Sequence, residues 1–398
     1  MSKASENPGL IAHTPLVRIQ YLDGLRGIAI SFVILYHAYS RWPGIVPYGS
    51  EFAQFPLFAH GNLGVQLFFM ISGFVIFMSL EKSRNFHSFM IKRWIRLFPA
   101  MLVISMFVFL TAPLFFERPA GLPRPRDLLP GLTFIEPYWW QTILGRPQAD
   151  LEGAFWSLYV EIKLYVVAGI FYFLVGGQRM IWVLVCLFLV AAGTLFFHHD
   201  FVELNWVALR DTLYMLSGKP CGWFAAGALF YRFSNEHNKW LLFAAITIAL
   251  AAAFSEGLDD YGGKHYLWER AITAAILVSV FTVSVLNKRM QQLLSNRFLL
   301  LIGFISYPLY LVHENTMISL IVKTGSVIPW MPSILIPVIP ISFVTLIAWL
   351  VARYVEPPIR NRFKSWHTTL QTDGWSEAWQ AKMRFLKHSV IRTRSNNP

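Results

Sequence analysis

Apolar residues gather into ten runs along the chain, at 24–42, 61–80, 98–116, 155–176, 180–197, 212–231, 239–254, 268–286, 298–322 and 331–355. A hydrocarbon core of ~30 Å takes about 20 residues of helix. The runs therefore predict an all-α, polytopic membrane protein of about ten transmembrane helices. The seventh run is short and the sixth holds Gly218-Lys219-Pro220, so these are the least regular of the set. The first run carries Asp23, Arg26 and His37, and no small-residue cleavage site follows it; it reads as a retained span, not a signal peptide. No long internal repeat or low-complexity tract breaks the pattern.

Composition agrees. Of the 398 residues, 55% are hydrophobic and 14% charged, against roughly 25% charged in an ordinary soluble domain. That excludes disorder, a coiled coil and a typical water-soluble enzyme. The 34 Phe and 15 Trp suit lipid-facing surfaces and interfacial belts. The formal net charge of +12 does not point to nucleic acid as a partner, because the basic residues sit in segments flanking the apolar runs. Alternate loops differ modestly in Lys and Arg, and the asymmetry grows once the tails are counted. With an even helix number, the positive-inside rule puts both termini in the cytoplasm.

Three regions follow: a cytoplasmic segment 1–21, a membrane domain 22–358, and a basic cytoplasmic tail 359–398. The tail, with Trp366, Trp375 and Trp379, is too small for a soluble catalytic domain and is expected on the anionic inner leaflet of the bilayer. Cys186 and Cys221 both lie in apolar runs and give neither a disulfide framework nor a zinc spacing; no metal is expected. The long loop 117–154, extracytoplasmic by the same rule, holds six prolines and Tyr138-Trp139-Trp140. It reads either as a linker with an interfacial aromatic anchor or as a partial lid whose rings stack on sugars.

Ionisable groups at bilayer depth cost several kcal/mol, and each is a functional-site hypothesis. Arg26 and His37 are eleven residues apart. On a helix that is about 20° past three full turns, so they share a face with a rise of ~16 Å between them. Arg93 and Arg96, just ahead of the third run, are spaced i,i+3, and paired guanidinium forks suit phosphate; an anchor at the cytoplasmic surface fits the same pair. Ser157, Glu161 and Tyr165 recur every four residues in the fourth run. With the fourth helix entering from outside near Trp156, Glu161 lies one to two turns deep, close to His37 in the middle or outer half; it either orients the imidazole or pairs with a cation such as Lys163. Tyr307, Tyr310 and His313 form an i,i+3,i+6 stripe in the ninth run. Ser72-Gly73 reads mainly as close helix packing. Walker A, HExxH, GxSxG and CxxC patterns are all absent.

Taken in order, these motifs resemble the acyltransferase 3 family of integral-membrane O-acyltransferases. The resemblance rests on Leu22-Asp23-Gly24-Leu25-Arg26-Gly27 with His37, Gly64-Val65-Gln66-Leu67-Phe68-Phe69 with Ser72-Gly73-Phe74, and Arg93-x-x-Arg96 before Pro99. It continues with Trp156-Ser157-Leu158 with Glu161 and Tyr165, Ser306-Tyr307-Pro308-Leu309-Tyr310-Leu311 with His313, and Glu356-Pro357-Pro358. Gln66 departs from the pattern, an acidic residue being common there. Many members also carry an extracytoplasmic hydrolase-like domain at the C-terminus. None is seen in this sequence, so acyl transfer is expected to finish in the membrane domain or on a separate protein.

The resemblance implies a multi-pass protein of the cell (inner or plasma) membrane. It implies transfer of an acyl group, usually acetyl, from cytoplasmic acyl-CoA to a hydroxyl of a cell-surface or lipid-linked glycan. No cofactor is held permanently; acyl-CoA is a co-substrate, and the bilayer and the glycan are the other partners. On that reading Arg26, Arg93 and Arg96 meet the donor phosphates and His37 is general base or transient acyl carrier. Glu161 orients His37, while Ser157, Tyr165, Tyr307, Tyr310 and His313 line the acceptor side or hold the oxyanion. A secondary transporter or flippase for a glycolipid or anionic solute competes, since intramembrane His, Glu and Arg serve proton coupling equally well. The lack of an inverted repeat speaks against it.

Overall fold

A computed structural model describes residues 19–196, 212–213, 215–257 and 267–372. Among these the regular elements are all helical. The long ones are α1 (Gln20–Tyr39), α2 (Gly64–Glu81), α3 (Phe86–Thr111), α5 (Trp156–Val175), α6 (Gly177–Phe196), α7 (Pro220–Glu236), α8 (Lys239–Gly257), α9 (Leu267–Leu286), α10 (Arg297–Val327), α11 (Val338–Leu350) and α12 (Glu356–Thr372), with a short α4 (Pro137–Leu144) in the long loop. Most of the segment 1–21, position 214 of the sixth apolar run, and Trp375 and Trp379 of the tail lie outside the described residues.

Eight helical stretches among the described residues are long and apolar enough to cross a bilayer, so the chain is an all-α, polytopic membrane protein. The expectation of about ten adds α1 and α7, which are not among the eight. Asp23, Arg26 and His37 make α1 too polar for a lipid-facing span, and α7 has 17 residues. Both are central instead. Every residue of α7 from Cys221 to Tyr231 is buried, as in a helix enclosed on all sides. The lipid-type surface is supplied by α6, α8, α9 and α11, which expose Trp182, Trp240, Phe243, Trp268, Ile272, Val338 and Leu346.

Small residues set the closest helix contacts. A Cβ built on Gly303 of α10 would lie 1.9 Å from the Asp23 carbonyl oxygen of α1; one on Gly227 of α7 would lie 2.0 Å from the Met70 carbonyl oxygen of α2. Only glycine lets these backbones touch. The helices α1 and α10 run in the same direction: Gly27 faces Gly303, and ten residues further along each, His37 meets His313. Gly73, read from sequence as packing, packs against Phe224.

Two boundaries differ from expectation. Helix α3 starts at Phe86, well before residue 98, because the Asn85 side chain accepts from the Ser88 backbone N–H at 2.8 Å and caps it. Arg93 and Arg96 are therefore inside a helix, not ahead of it. At the other end, α11 runs through a π-helical segment, Val351–Val355, directly into α12. The expected boundary between residues 358 and 359 falls inside α12, whose Phe363 packs on Trp94 and Phe98 of α3 at 5.1 and 5.6 Å between ring centroids.

The loop 117–154 is folded down onto α10. Ser319 donates to Glu117 at 2.6 Å, the Ala120 N–H donates to Asn315 at 3.0 Å, and the Asn315 N–H donates to Glu152 at 2.9 Å. Arg118 closes the knot by donating to the Leu151 carbonyl at 2.5 Å. The linker reading is thus replaced by a fixed cap. Glu152 is fully buried there, and burial pushes its carboxyl up to about 8, opposed by Arg118 and reinforced by Glu314. A carboxyl raised in the fold is protonated where the unfolded chain, near 4.3, is ionised. Stability therefore falls as pH rises from about 4.3 to about 8, by up to roughly 1.4 kcal/mol per pH unit. Thermal unfolding in detergent between pH 5 and 9 is expected to show this decline in the parent and a shallower one in Glu152→Gln. Parallel curves for the two would mean that Glu152 is ionised in the folded protein.

Candidate active site

The bundle encloses a cavity of about 240 Å³ between α1, α2, α3, α5, α10 and α12. Each helix contributes at least one polar residue. From α1 come Asp23 and Arg26, paired at 2.7 Å; from α2 comes Ser72, and from α3 Arg96. The Ser157, Glu161 and Tyr165 stripe of α5 faces the cavity along its length, as do Tyr307 and Tyr310 of α10. Helix α12 adds Glu356 and Arg360.

Glu161 accepts from Ser72 at 2.5 Å and from the Tyr165 hydroxyl. It does not pair with Lys163, which turns to the other side of α5 and bonds Glu136 at 2.7 Å. Nor does it pair with His37, as the sequence predicted. Arg26 and Arg96 lie on its side of the cavity, so Glu161 belongs to the guanidinium end. Arg93 and Arg96 also part company. Arg96 is exposed into the cavity, while Arg93 is 4% exposed and donates to Ser79 at 2.7 Å behind it. Tyr307 lines the cavity and donates to the Leu97 carbonyl at 3.1 Å.

At its far end the cavity stops at Ser157 and Tyr310, whose hydroxyls bond at 2.6 Å. Beyond the Tyr310 ring lies a second polar cluster, at 5.4 Å between the Tyr310 and His313 ring centroids. Here His37 Nδ1 is 2.9 Å from the Val33 carbonyl and 3.3 Å from His313 Nε2, and His37 Nε2 is 3.6 Å from Glu314 Oε1. The two imidazoles meet edge to face at 4.7 Å. A carbonyl only accepts, so Val33 fixes the proton on Nδ1 and leaves the Nε2 lone pair of His37 facing Glu314. His313 is held the same way by the Tyr310 carbonyl at 2.8 Å. The long loop covers this cluster: a Cβ on Gly153 would lie 2.7 Å from Glu314 Oε2.

The carboxylate beside His37 is therefore Glu314, which adjoins His313 in sequence but had been assigned no role; a buried acid in an apolar run was the available signal. Ser72, which reads from sequence mainly as packing, Glu356 of the Glu356-Pro357-Pro358 motif, and Arg360 also line the cavity, where the sequence assigns them no site role. Gln66, the departure from the family pattern, faces away from the cavity toward Glu256, which bonds Trp223 at 3.1 Å and pairs with Lys219 and Arg270 at 3.6 and 3.4 Å.

A polytopic helical protein with a guanidinium-rimmed cavity ending beside a buried His–His–Glu cluster is suited to handling an anionic group and moving a proton at bilayer depth. A family model described as "Acyltransferase domain" matches residues 19–353, and the chain belongs to this acyltransferase 3 family. It is similar to O-acetyltransferase OatA of Staphylococcus aureus (strain NCTC 8325 / PS 47), at 26% identity over 367 residues covering 86% of this chain. The same figures hold for OatA of S. aureus strains COL and MRSA252. The chain spans 57% of the length of these curated relatives. No solved structure matches it.

Proposed function

We propose that the chain is a membrane O-acyltransferase that moves an acyl group, acetyl by analogy with its relatives' names, from cytoplasmic acyl-CoA to a hydroxyl of a cell-surface or lipid-linked glycan. The observation that carries this reading is the His37–His313–Glu314 cluster set one aromatic ring beyond an arginine-rimmed cavity. The positive-inside rule orients the arginine end toward the cytoplasm, and a cell-surface acceptor would place the protein in the inner or plasma membrane. A polyanionic donor entering there meets Arg26 and Arg96, with Arg93 supporting them from behind. Its acyl end points along Ser157 and Tyr310 toward His37, and the glycan approaches from the side of the folded loop.

The chemistry follows from the tautomer. Val33 holds the Nδ1 proton, so Nε2 takes the proton of the acceptor hydroxyl as its oxygen attacks the thioester carbonyl carbon. The carbon–sulfur bond breaks, the hydroxyl oxygen gains the acyl group, and the coenzyme A thiolate recovers the proton. Glu314 stabilises the imidazolium in between. Transfer through a transient acyl group on Nε2 would use the same lone pair. Turning aside the Tyr310 ring would join the cavity to the His37 cluster, which makes its hydroxyl and that of Ser157 the nearest donors for the oxyanion. The test is to incubate the purified protein with radiolabelled acetyl-CoA and cell-envelope glycan. Label on the glycan supports the reading, and solute flux without covalent label would assign the chain to transport.

A further inference from the structure

The cavity rim contains a guanidinium that its position in sequence conceals. Pro357 and Pro358 carry no N–H, so the carbonyls four residues earlier lose their ladder partners, and the helix relaxes into the π segment Val351–Val355. Such segments are rare and concentrate at functional sites. From within it, Ala352 and then Glu356 and Arg360, four residues apart, form one stripe on the cavity wall. The Phe363 contact with Trp94 and Phe98 clamps this stripe against α3, the helix that carries Arg96. Arg360 donates from Nη1 to Glu356 Oε1 at 2.9 Å, and its Nε is buried without a hydrogen-bond partner among the described residues. Around the rim, Arg26 is matched by Asp23 and Arg360 by Glu356, while Arg96 has no ion pair among the described residues. Three cations against three acids, counting Glu161, is a poor receptacle for a polyanion unless one acid yields.

We propose that Arg360 is a ligand for the phosphate groups of the donor, and that Glu356 is the carboxylate a phosphate displaces from it. This rests on the acyl-CoA reading above. A phosphate offers a guanidinium the same two-oxygen face that a carboxylate does, so the exchange replaces the Nη1 bond and gives the stranded Nε a partner. Glu356 then swings toward solvent or Arg96. The chemistry recognised is a phosphate ester, and the headgroup of an anionic lipid at the same surface presents it too.

Binding of coenzyme A to the full chain in nanodiscs of zwitterionic lipid, measured by calorimetry, tests the proposal. Phosphate-free pantetheine and nanodiscs containing phosphatidylglycerol are the comparison arms. Arg360→Ala is expected to weaken coenzyme A binding by roughly tenfold or more and to leave pantetheine unchanged. Glu356→Gln is expected to tighten coenzyme A several-fold, because it releases Arg360. The opposite signs separate a ligand role from a structural one. Parent-like binding by Arg360→Ala, a matched loss in both variants, or an equal loss for pantetheine would each overturn the proposal. So would an Arg360 effect seen only as competition by phosphatidylglycerol, which would assign the arginine to lipid. A parent chain that binds no coenzyme A would overturn the donor reading and this proposal together, whereas a parent that binds while Arg360→Ala is indifferent overturns this proposal alone.

Discussion

Replacement of His37 by alanine is expected to lower acyl transfer by about 10²–10⁴-fold, the range a positioned general base supplies, and to leave the protein folded in the membrane. The imidazole makes its shortest hydrogen bond to the carbonyl of Val33 one turn back on its own helix, and its contacts to α10, His313 at 3.3 Å and Glu314 at 3.6 Å, are longer. The α1–α10 contact is held by backbone approach at Gly27 and Gly303. The change therefore separates chemistry from architecture. Retention on size-exclusion chromatography with an unchanged helical circular dichroism spectrum, alongside loss of labelled glycan, is the expected combination. Near-normal product from His37→Ala would remove this imidazole from the reaction.

Much of this arrangement was legible along single helices. The repeat of Ser157, Glu161 and Tyr165 correctly gave one face of α5, because 3.6 residues per turn fixes which side chains share a stripe. Spacing also put Arg26 and His37 about three turns apart on α1. Periodicity does not give the rotation of one helix against the next. Glu161 and Glu314 both sit in apolar runs, and only the close approach of α1 to α10 at Gly303 turns His37 toward Glu314 and leaves Glu161 to Ser72 and Tyr165. The same limit explains Arg93 and Arg96. Three residues apart is 300° around a helix, and at the edge of a cavity that offset is enough to bury one and expose the other. Arg360 was obscured by a different cause. Hydropathy ends the membrane domain where charges begin, yet α12 continues from α11, packs against α3 and brings an arginine to the cavity.

The pairing of His37 with Glu314 leads to the second large effect. Glu314→Gln is expected to reduce kcat by about 10²-fold or more with little change in acyl-CoA KM. The carboxylate stands 3.6 Å from the Nε2 that receives the proton, and the site is buried. An imidazolium forming there without its counter-charge pays for desolvation alone. Gln adds a second penalty, since its amide N–H can donate to Nε2 and occupy the lone pair that must accept from the substrate. Both act on the step in which the proton moves, not on donor binding at the cavity rim some three helical turns away. Glu314→Asp, which keeps the charge at greater distance, should recover part of kcat and shift its pH profile, a response that a merely structural carboxylate has no reason to give. Glu161→Gln provides the contrast: beside Ser72 and Tyr165 at the guanidinium end, it should act chiefly on acyl-CoA KM. If Glu161→Gln instead abolished kcat while Glu314→Gln turned over near the parent rate, the partner of the base would be the acid on α5, and the helices would have to rearrange to bring it there.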